Sequence, residues 1–161
     1  MQPKGSKSAG EYTVGLISDT HGLLRPEAVK ALKGVDLTIH AGDIGNPGVL
    51  EDLRAVAPVF AVRGNMDGGE WARELPETEV VEVGEVLVYV LHDVRRMDLD
   101  PAAAGFSAVI SGHTHTASIE KREGVLFLNP GTAGPFKSPV SVAVLRIQGG
   151  HLDAHLIELE T

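Results

Sequence analysis

Short apolar runs separated by polar turns fill the first 65 residues of the chain. Residues 12–18, 35–40 and 59–62 contain such runs of Val, Leu, Ile and Ala, and this composition predicts strands that are buried on both faces. The segments between them, residues 26–33 and 47–56, begin with Pro, which is favoured in the first turn of a helix. The order strand, helix, strand, helix, strand predicts a parallel sheet with helices on its faces.

The second half of the chain is richer in predicted strands. Three pairs of apolar segments each flank a short turn that contains Gly, and each pair predicts a β-hairpin. The pairs are residues 78–83 with 86–91, 117–121 with 125–128, and 140–147 with 151–159. Residues 107–111 form a further predicted strand, and residues 100–104 predict a short helix. Two mixed sheets packed face to face, with helices outside, account for this order and place the chain in the α/β class.

The length and composition fit one compact domain. The chain has 161 residues, of which 43 % are apolar and only 4 % aromatic, so we expect a largely aliphatic core. Residues 1–10 are rich in Gly, Ser and Lys and predict a flexible N-terminal tail, not a signal peptide, which leaves residues 11–161 as a single domain. No apolar run approaches the roughly 20 residues that span a bilayer. We therefore expect no membrane association and a cytoplasmic location.

Cysteine content and net charge narrow the chemistry. The chain contains no Cys, which excludes disulfides, thiolate metal sites and a Cys nucleophile. The formal net charge of −8 disfavours general nucleic-acid binding, because an acidic surface repels phosphate backbones. Bound divalent cations would reverse this repulsion locally and would attract phosphate to one spot.

Polar side chains with metal-binding chemistry follow the ends of the predicted strands. They are Asp19 and His21, Asp43, Asn65, His92, and His113 with His115. Two residues that are two positions apart in an extended segment point to the same side, so a D-x-H or H-x-H pair can hold one ion. Parallel sheets bind substrates and cofactors at the carboxyl ends of their strands. Imidazole and carboxylate together suit Mn, Fe, Zn, Co and Ni.

Each of these motifs also has an ordinary explanation when taken alone. Asp19 can cap a helix, Gly-Asp and Gly-Asn are common turn dipeptides, and His40 can be a structural histidine. His151 and His155 are expected at the surface. The joint occurrence of five motifs at strand ends is what favours a metal site.

The order D-x-H, G-D, G-N, H, G-H-x-H resembles the calcineurin-like metallophosphoesterase superfamily over residues 14–147. Residues 39–43 and 128–131 resemble its YfcE-like branch of small phosphodiesterases, which also includes the eukaryotic retromer scaffold subunit. The resemblance implies a four-layer α/β/β/α sandwich of two mixed β-sheets flanked by helices. It also implies a metal-dependent phosphoesterase.

Carried over to this chain, the resemblance implies a centre of two divalent metal ions. Asp19, His21 and His115 would hold the first ion, Asn65, His92 and His113 the second, and Asp43 would bridge both. Mn²⁺ is the expected ion, and Ni²⁺, Fe, Zn²⁺, Co²⁺ and Mg²⁺ also suit these ligands. A hydroxide between the ions would attack phosphorus, with Asp43, Asn65 and His113 as the catalytic ligands. Activity is expected to fall below about pH 6 as the histidines protonate.

Several residues around the ligands carry further expectations. Arg63 and Arg25 are candidates for binding substrate phosphate, although both can equally be surface residues. We expect His40, Asp67, Asp93 and Asn129 to support the ligands. Asp93 stands where related chains usually have Gly, so it is expected either to orient His92 or to narrow the site.

Met66 is the main departure from the superfamily pattern. Many members have His after the Gly-Asn dipeptide, and that His acts as a general acid or stabilises the leaving group. Met66 cannot do either, and such help is typically worth about 10²–10⁴-fold in rate. The YfcE-like branch commonly lacks this His as well, so Met66 favours a phosphodiesterase with a small phosphoester substrate.

Two other functions share the motif pattern. One is a phosphomonoesterase or nucleotide phosphatase on the same site, and the other is a catalytically weak scaffold of the retromer type. Relatives in this branch often self-associate, so a homodimer or homotetramer is an expected assembly.

Overall fold

The computed structural model describes residues 10–137 and 139–160. Two five-stranded mixed sheets pack face to face, which confirms the predicted fold class. The predicted tail, residues 1–10, lies almost wholly outside the described residues. Within the described part of the chain, no helix is long and apolar enough to cross a membrane.

The first half of the chain has the predicted alternation of strands and helices. Its elements are β1 (Glu11–Ile17), α1 (Pro26–Ala31), β2 (Leu37–His40), α2 (Pro47–Arg54), β3 (Val59–Ala61) and the short helix α3 (Glu70–Arg73). Pro26 and Pro47 both lie in the first turn of their helices, as expected, and Asn46 caps α2 by accepting a hydrogen bond from the Val49 N–H. The helix α3 was not anticipated from the sequence.

The second half contains the predicted hairpins. Its elements are β4 (Thr78–Val83), β5 (Val86–Leu91), β6 (Ala108–Ile110), β7 (Ser118–Arg122), β8 (Val125–Asn129), β9 (Ser141–Gln148) and β10 (His151–Glu158). Antiparallel pairing joins β4 to β5, β7 to β8 and β9 to β10. The hairpins are thus confirmed.

The first sheet has the order β10-β9-β1-β2-β3 and the second β4-β5-β6-β8-β7. In the first sheet, β2 pairs in parallel with both β1 and β3. In the second, β6 pairs in parallel with both β5 and β8. The carboxyl ends of β1, β2 and β3 therefore meet at one edge of the first sheet, and those of β5 and β6 meet at one edge of the second.

Aliphatic side chains fill the layers. Residues such as Leu16, Ile39, Val88 and Ile110 come from both sheets and form the central core. The helices α1 and α2 cover the outer face of the first sheet through a second cluster that includes Leu53. This arrangement fixes the two sheets against each other, so the turns at their edges have defined relative positions.

A 3-10 turn, Val94–Arg96, and residues 97–106 cover the outer face of the second sheet. The helix predicted over residues 100–104 is wrong, because this segment forms a series of turns. Ala104 N–H donates to the Asp100 carbonyl at 3.0 Å, but Gly105 then takes a left-handed conformation with φ 87°. A helix cannot continue through that conformation, so the segment ends after one turn.

Candidate metal centre

The polar turns after β1, β2 and β3 lie side by side. The Asp19 N–H donates to the Gly42 carbonyl, and the His21 N–H donates to the Asp43 carbonyl, each at 3.0 Å. These backbone bonds extend the parallel pairing beyond the ends of the strands. They place the Asp19 and Asp43 carboxylates, which are both buried, in the same region.

Histidines from both sheets surround these two carboxylates. Asp19 Oδ1 lies 3.3 Å from His115 Nε2, 3.8 Å from His21 Nε2 and 3.9 Å from His92 Nε2. Asp43 Oδ2 lies 3.3 Å from His92 Nε2 and 3.5 Å from His21 Nε2. Two groups of three side chains result, each with its donor atoms within 4.8 Å of one another: Asp19, His21 and His115, and Asp19, Asp43 and His92.

Asn65 and His113 lie beside these groups and contact each other. The His113 Nδ1 is 3.2 Å from the Asn65 Oδ1, and the His113 N–H donates to Asp19 Oδ2 at 3.1 Å. The structure therefore brings all seven predicted ligands into one region. The His92 and His113 rings contact each other with their centroids 5.1 Å apart, so Asn65, His113 and His92 form a connected chain of contacts beside the two carboxylates.

Three buried atoms at this centre have no hydrogen-bond partner within the described residues: Asp19 Oδ1, His21 Nε2 and His92 Nε2. An unsatisfied buried polar atom costs about 1–3 kcal/mol, and here three converge on the same space. A carboxylate oxygen and imidazole nitrogens are also the donors that divalent transition metals prefer. The residues present thus fit a metal ion.

The backbone at this centre is unusual. Six non-glycine residues of the described chain have positive φ, and five of them are predicted ligands: Asp19, His21, Asp43, His113 and His115, with φ between 47° and 71°. Asp and His tolerate this left-handed conformation better than most residues, but it is uncommon and clusters at functional sites.

Two glycines allow the ligand turns to pack closely. A Cβ on Gly64 would collide with the backbone and carboxylate of Asp43, and a Cβ on Gly112 would collide with Ser18 and the Asp19 carboxylate. Because these glycines have no side chain, the turn after β3 can lie against Asp43 and the turn after β6 against Asp19. This close packing brings the turns that carry Asn65 and His113 towards the two carboxylates.

The pKa values of Asp43 and His92 shift in opposite directions. Burial raises the pKa of the Asp43 carboxyl, but contacts with His92 and the Met66 N–H outweigh burial and leave that pKa below its usual value. Burial lowers the pKa of His92, but the Asp43 carboxylate and the Ala41 carbonyl outweigh it and leave that pKa raised. Asp43 therefore stays ionised, and His92 binds a proton more tightly than a free imidazole does.

His40 is fully buried, and both of its ring nitrogens have polar partners. Its Nδ1 accepts a hydrogen bond from the Gly42 N–H at 3.1 Å, and its Nε2 lies 3.0 Å from the Thr20 hydroxyl. Burial and, next, the nearby His92 lower the pKa of His40 to about 3. His40 therefore stays neutral and ties the ends of β1 and β2 together.

Asp67 and Asn129 orient ligand turns through the backbone. Asp67 accepts hydrogen bonds from the N–H groups of Ile44, Gly45 and Gly64 at 2.9–3.0 Å. Asn129 donates to the Gly112 carbonyl at 3.0 Å and so holds the turn that carries His113. Asp67 thus links two segments that carry predicted ligands, and Asn129 joins the end of β8 to a third.

Asp93 faces His113, and another group orients His92. The Ala41 carbonyl lies 2.8 Å from His92 Nδ1. The Asp93 carboxylate instead pairs with Arg95 at 3.1 Å and lies 3.8 Å from His113 Nε2. Asp93 also accepts a hydrogen bond from the Arg95 N–H and so caps the 3-10 turn.

The two arginines lie on different sides of the centre. Arg63 pairs with Glu77 at 3.0 Å and lines a cleft of about 390 Å³, whose wall also includes Asn65, His92 and His113. Arg25 donates to the Gly134 carbonyl from Nη2 at 3.0 Å and from Nε at 3.3 Å. Arg63 is thus placed beside a substrate-sized space, and the Arg25 guanidinium holds a loop.

Three supporting residues were missed from the sequence. Ser18 donates to Asp19 Oδ2 at 2.7 Å, Thr132 donates to the Asp19 carbonyl at 2.8 Å, and the Phe136 ring lies against His21 and His115. Ser18 immediately precedes a ligand and Thr132 follows the segment of residues 128–131, so their positions were available signals. Phe136 lies in a Gly- and Pro-rich loop and gave no such signal.

Comparison with known proteins identifies the family. Residues 13–150 match the family model of the calcineurin-like phosphoesterase superfamily domain. A probable metallophosphoesterase from Methanothermobacter thermautotrophicus is 38 % identical over 157 residues, which cover 89 % of this chain and 91 % of that protein. Phosphodiesterase MJ0936 from Methanocaldococcus jannaschii is 30 % identical over 137 residues, which cover 73 % of this chain and 82 % of that protein.

A solved structure shares the fold. Vacuolar Protein Sorting 29 from Cryptosporidium parvum matches with a TM-score of 0.74 and 22 % identity, over 94 % of this chain and 99 % of that chain. At this identity the likeness concerns the fold alone. Together with the buried Asp and His groups, the matched family model shows that the chain belongs to the calcineurin-like phosphoesterase superfamily.

Proposed function

We propose that this protein is a phosphodiesterase that depends on two divalent metal ions. The observation that carries the proposal is the convergence of three unsatisfied buried atoms, Asp19 Oδ1, His21 Nε2 and His92 Nε2, in one space. A protein that lacked an ion there would leave all three atoms without a hydrogen-bond partner, although the charges of the neighbouring side chains offset part of the cost.

The seven converging side chains have proposed roles. Asp19, His21 and His115 would hold the first ion, Asn65, His92 and His113 would hold the second, and the Asp43 carboxylate would contribute to both. When bound, two such ions lower the pKa of a water molecule and neutralise charge on the phosphate oxygens. Mn²⁺ is the ion we propose, because its preference for carboxylate and carbonyl oxygens suits Asp19, Asp43 and Asn65.

The surrounding residues hold this set in place and leave one side open to substrate. Met66 donates its N–H to Asp43 Oδ1 at 2.9 Å, which fixes the bridging carboxylate. Arg63 lies in the wall of the cleft beside Asn65 and His113. We propose that its guanidinium, which also pairs with Glu77, binds an anionic group of a substrate that enters there.

Met66 and a relative bear on the choice of substrate. Met66 is 66 % exposed and has no group that can donate a proton. A leaving group that departs without a general acid must be a weak base, so Met66 favours an ester with an activated leaving group. The relative named as a phosphodiesterase supports a diester as that substrate.

The test compares metal-free and metal-restored protein. The full chain is stripped with a chelator, restored with Mn²⁺, and assayed with bis(p-nitrophenyl) phosphate and with p-nitrophenyl phosphate. We expect Mn²⁺-dependent turnover of the diester to exceed that of the monoester. His113→Ala should lower kcat/KM by at least about 100-fold, since loss of supporting residues around a metal typically costs about 10–100-fold. His151→Ala, on the exposed edge strand β10, is the matched control and should keep full activity.

Each outcome discriminates between functions. Faster turnover of the monoester would favour the phosphomonoesterase alternative on the same site. Absence of turnover with any divalent ion would overturn both enzymatic functions and favour a scaffold role.

A further inference from the structure

The Phe136 ring contacts the imidazole rings of His21 and His115. With Asp19 these two histidines are the ligands proposed for the first ion, here called the first metal set. The Phe136 ring centroid lies 5.0 Å from that of His21, with an interplanar angle of 90°, and 4.5 Å from that of His115, with an angle of 45°. The two imidazoles lie 5.5 Å apart. Edge-to-face and tilted contacts at these distances are attractive, so Phe136 restricts the rotation of both histidine rings.

The segment that carries Phe136 is fastened to the protein at two points. The Arg25 guanidinium donates to the Gly134 carbonyl at 3.0 Å. The Gly134 N–H donates to the Thr132 hydroxyl, which in turn donates to the Asp19 carbonyl at 2.8 Å. The position of the phenyl ring is thereby tied to a ligand of the first set.

The second set, Asn65, His92 and His113, lines the cleft of about 390 Å³, and none of the lining residues belongs to the first set. The rings of His92 and His113 contact each other, with their centroids 5.1 Å apart. In the first set, Phe136 adds a third ring that contacts both imidazoles.

We propose that Phe136 is a positioning residue for the first metal set. It holds the rings of His21 and His115 in ligating orientations through direct ring contacts. An ion held by Asp19, His21 and His115 then exchanges more slowly than the ion held through Asn65, His92 and His113. This inference rests on the proposed two-ion site and adds an asymmetry between its two halves.

The rate of metal release tests the proposal directly. The full chain is loaded with Zn²⁺ and mixed in a stopped-flow instrument with the chromogenic chelator 4-(2-pyridylazo)resorcinol. We expect two phases of Zn²⁺ release from the wild type. His115→Ala should remove the slow phase and His113→Ala the fast one, which assigns each phase to its ligands.

Substitution of Phe136 should affect one phase only. Loss of two ring contacts in Phe136→Ala is expected to accelerate the slow phase about 5- to 30-fold and to leave the fast phase within about 2-fold. Phe136→Tyr keeps the ring and should retain the slow wild-type rate. Phe136→Leu keeps apolar volume without the ring and should release the ion as fast as Phe136→Ala. Phe60→Ala is the matched control, because Phe60 on β3 is 38 % exposed and Phe136 is 37 % exposed.

Failure of this inference differs from failure of the proposed function. A wild type that binds fewer than two Zn²⁺ ions overturns the two-ion site and the inference with it. Two bound ions with equal slow-phase rates in the wild type and in Phe136→Ala overturn the inference alone. Equal acceleration by Phe60→Ala, or full rescue by Phe136→Leu, also overturns it.

Discussion

At the scale of single residues, the backbone conformation is as informative as the side chains. Asp19, His21, Asp43, His113 and His115 all have positive φ, which costs on the order of 1 kcal/mol for each such residue. A protein sustains this cost only where the surrounding structure imposes it. The left-handed conformation turns each side chain towards the shared centre, and this could not be read from the sequence.

Close packing at Gly64 gives a residue-scale prediction. In Gly64→Ala the new methyl group would meet the backbone and carboxylate of Asp43, so we expect a loss of about 1–3 kcal/mol in the free energy of unfolding. Displacement of Asp43 should also weaken Mn²⁺ binding. Urea unfolding and isothermal titration calorimetry measure the two effects.

Gly68 provides the control for that substitution. It lies four residues further along the chain, and a Cβ there would meet no atom within 4 Å. Gly68→Ala should therefore change neither stability nor metal affinity appreciably. Equal effects of the two substitutions would contradict the argument from close packing.

At the scale of elements, the strand order explains how much of the site could be predicted. The polar turns after the first three strands were expected at one edge of a parallel sheet, and the parallel pairing of β2 with β1 and β3 confirms this. The pairing of distant strands and the approach of the second sheet depend on packing between remote segments. The contacts of His113 with both Asn65 and His92 are therefore visible only in three dimensions.

Local turn chemistry explains the two segments in which the structure differs from the sequence-based prediction. The segment over residues 100–104 contains Ala and begins with Asp-Pro, which favours a helix start, but Gly105 ends the structure after one turn. The short helix α3 follows Gly69, which has no side chain to cap it. Neither segment has the repeated apolar spacing from which a helix is predicted.

Asp67 gives an element-scale prediction, because it joins the turn after β3 to the turn after β2. In Asp67→Ala the N–H groups of Ile44, Gly45 and Gly64 lose their acceptor. An unsatisfied buried donor costs about 1–3 kcal/mol, and partial access of water lowers the total, so we expect a loss of about 2–4 kcal/mol in unfolding free energy. Denaturant titration of the metal-free protein measures it.

Asp52 on α2 is the matched control for Asp67. It is exposed, and Asp52→Ala should leave the unfolding free energy within about 0.5 kcal/mol of the wild type. A similarly small change in Asp67→Ala would show that the two turns are held by other contacts.

At the scale of the whole molecule, the proposed ligands come from both sheets. Asp19, Asp43 and Asn65 follow strands of the first sheet, whereas His92 and His113 follow strands of the second. An ion bound between them joins the two sheets and binds the folded state selectively. We therefore expect Mn²⁺ at about 100 times its Kd to stabilise the protein by about 2.7 kcal/mol per ion.

A thermal melt with and without Mn²⁺ measures this stabilisation. The melting temperature should rise with Mn²⁺ concentration in the wild type. His115→Ala removes one ligand from the second sheet and should show a smaller rise. An equal rise in both proteins would mean that Mn²⁺ binds elsewhere.

The pH dependence of metal binding follows from His92. The pKa of His92 lies above the ordinary value of 6.5, so protons compete with the metal ion already around neutral pH and more strongly as the pH falls. The lowered pKa of Asp43 keeps its carboxylate available over the same range. The apparent affinity for Mn²⁺ should therefore decrease steadily from pH 8 to pH 5, and activity with it.

Calorimetric titrations with Mn²⁺ at several pH values test this dependence. Each should also detect release of protons on binding at pH 6 and less release at pH 8. An affinity that is equal at pH 8 and pH 5 would contradict a site built from histidines.

The number of Mn²⁺ ions bound per chain tests the central claim most directly. Equilibrium dialysis at pH 8 followed by elemental analysis should give two ions per wild-type chain and two for Asp52→Asn. Asp43→Asn, which replaces the proposed bridging carboxylate with a neutral amide, should bind at most one ion. A wild-type chain that binds no ion, or an Asp43→Asn chain that still binds two with unchanged affinity, would contradict the dinuclear centre.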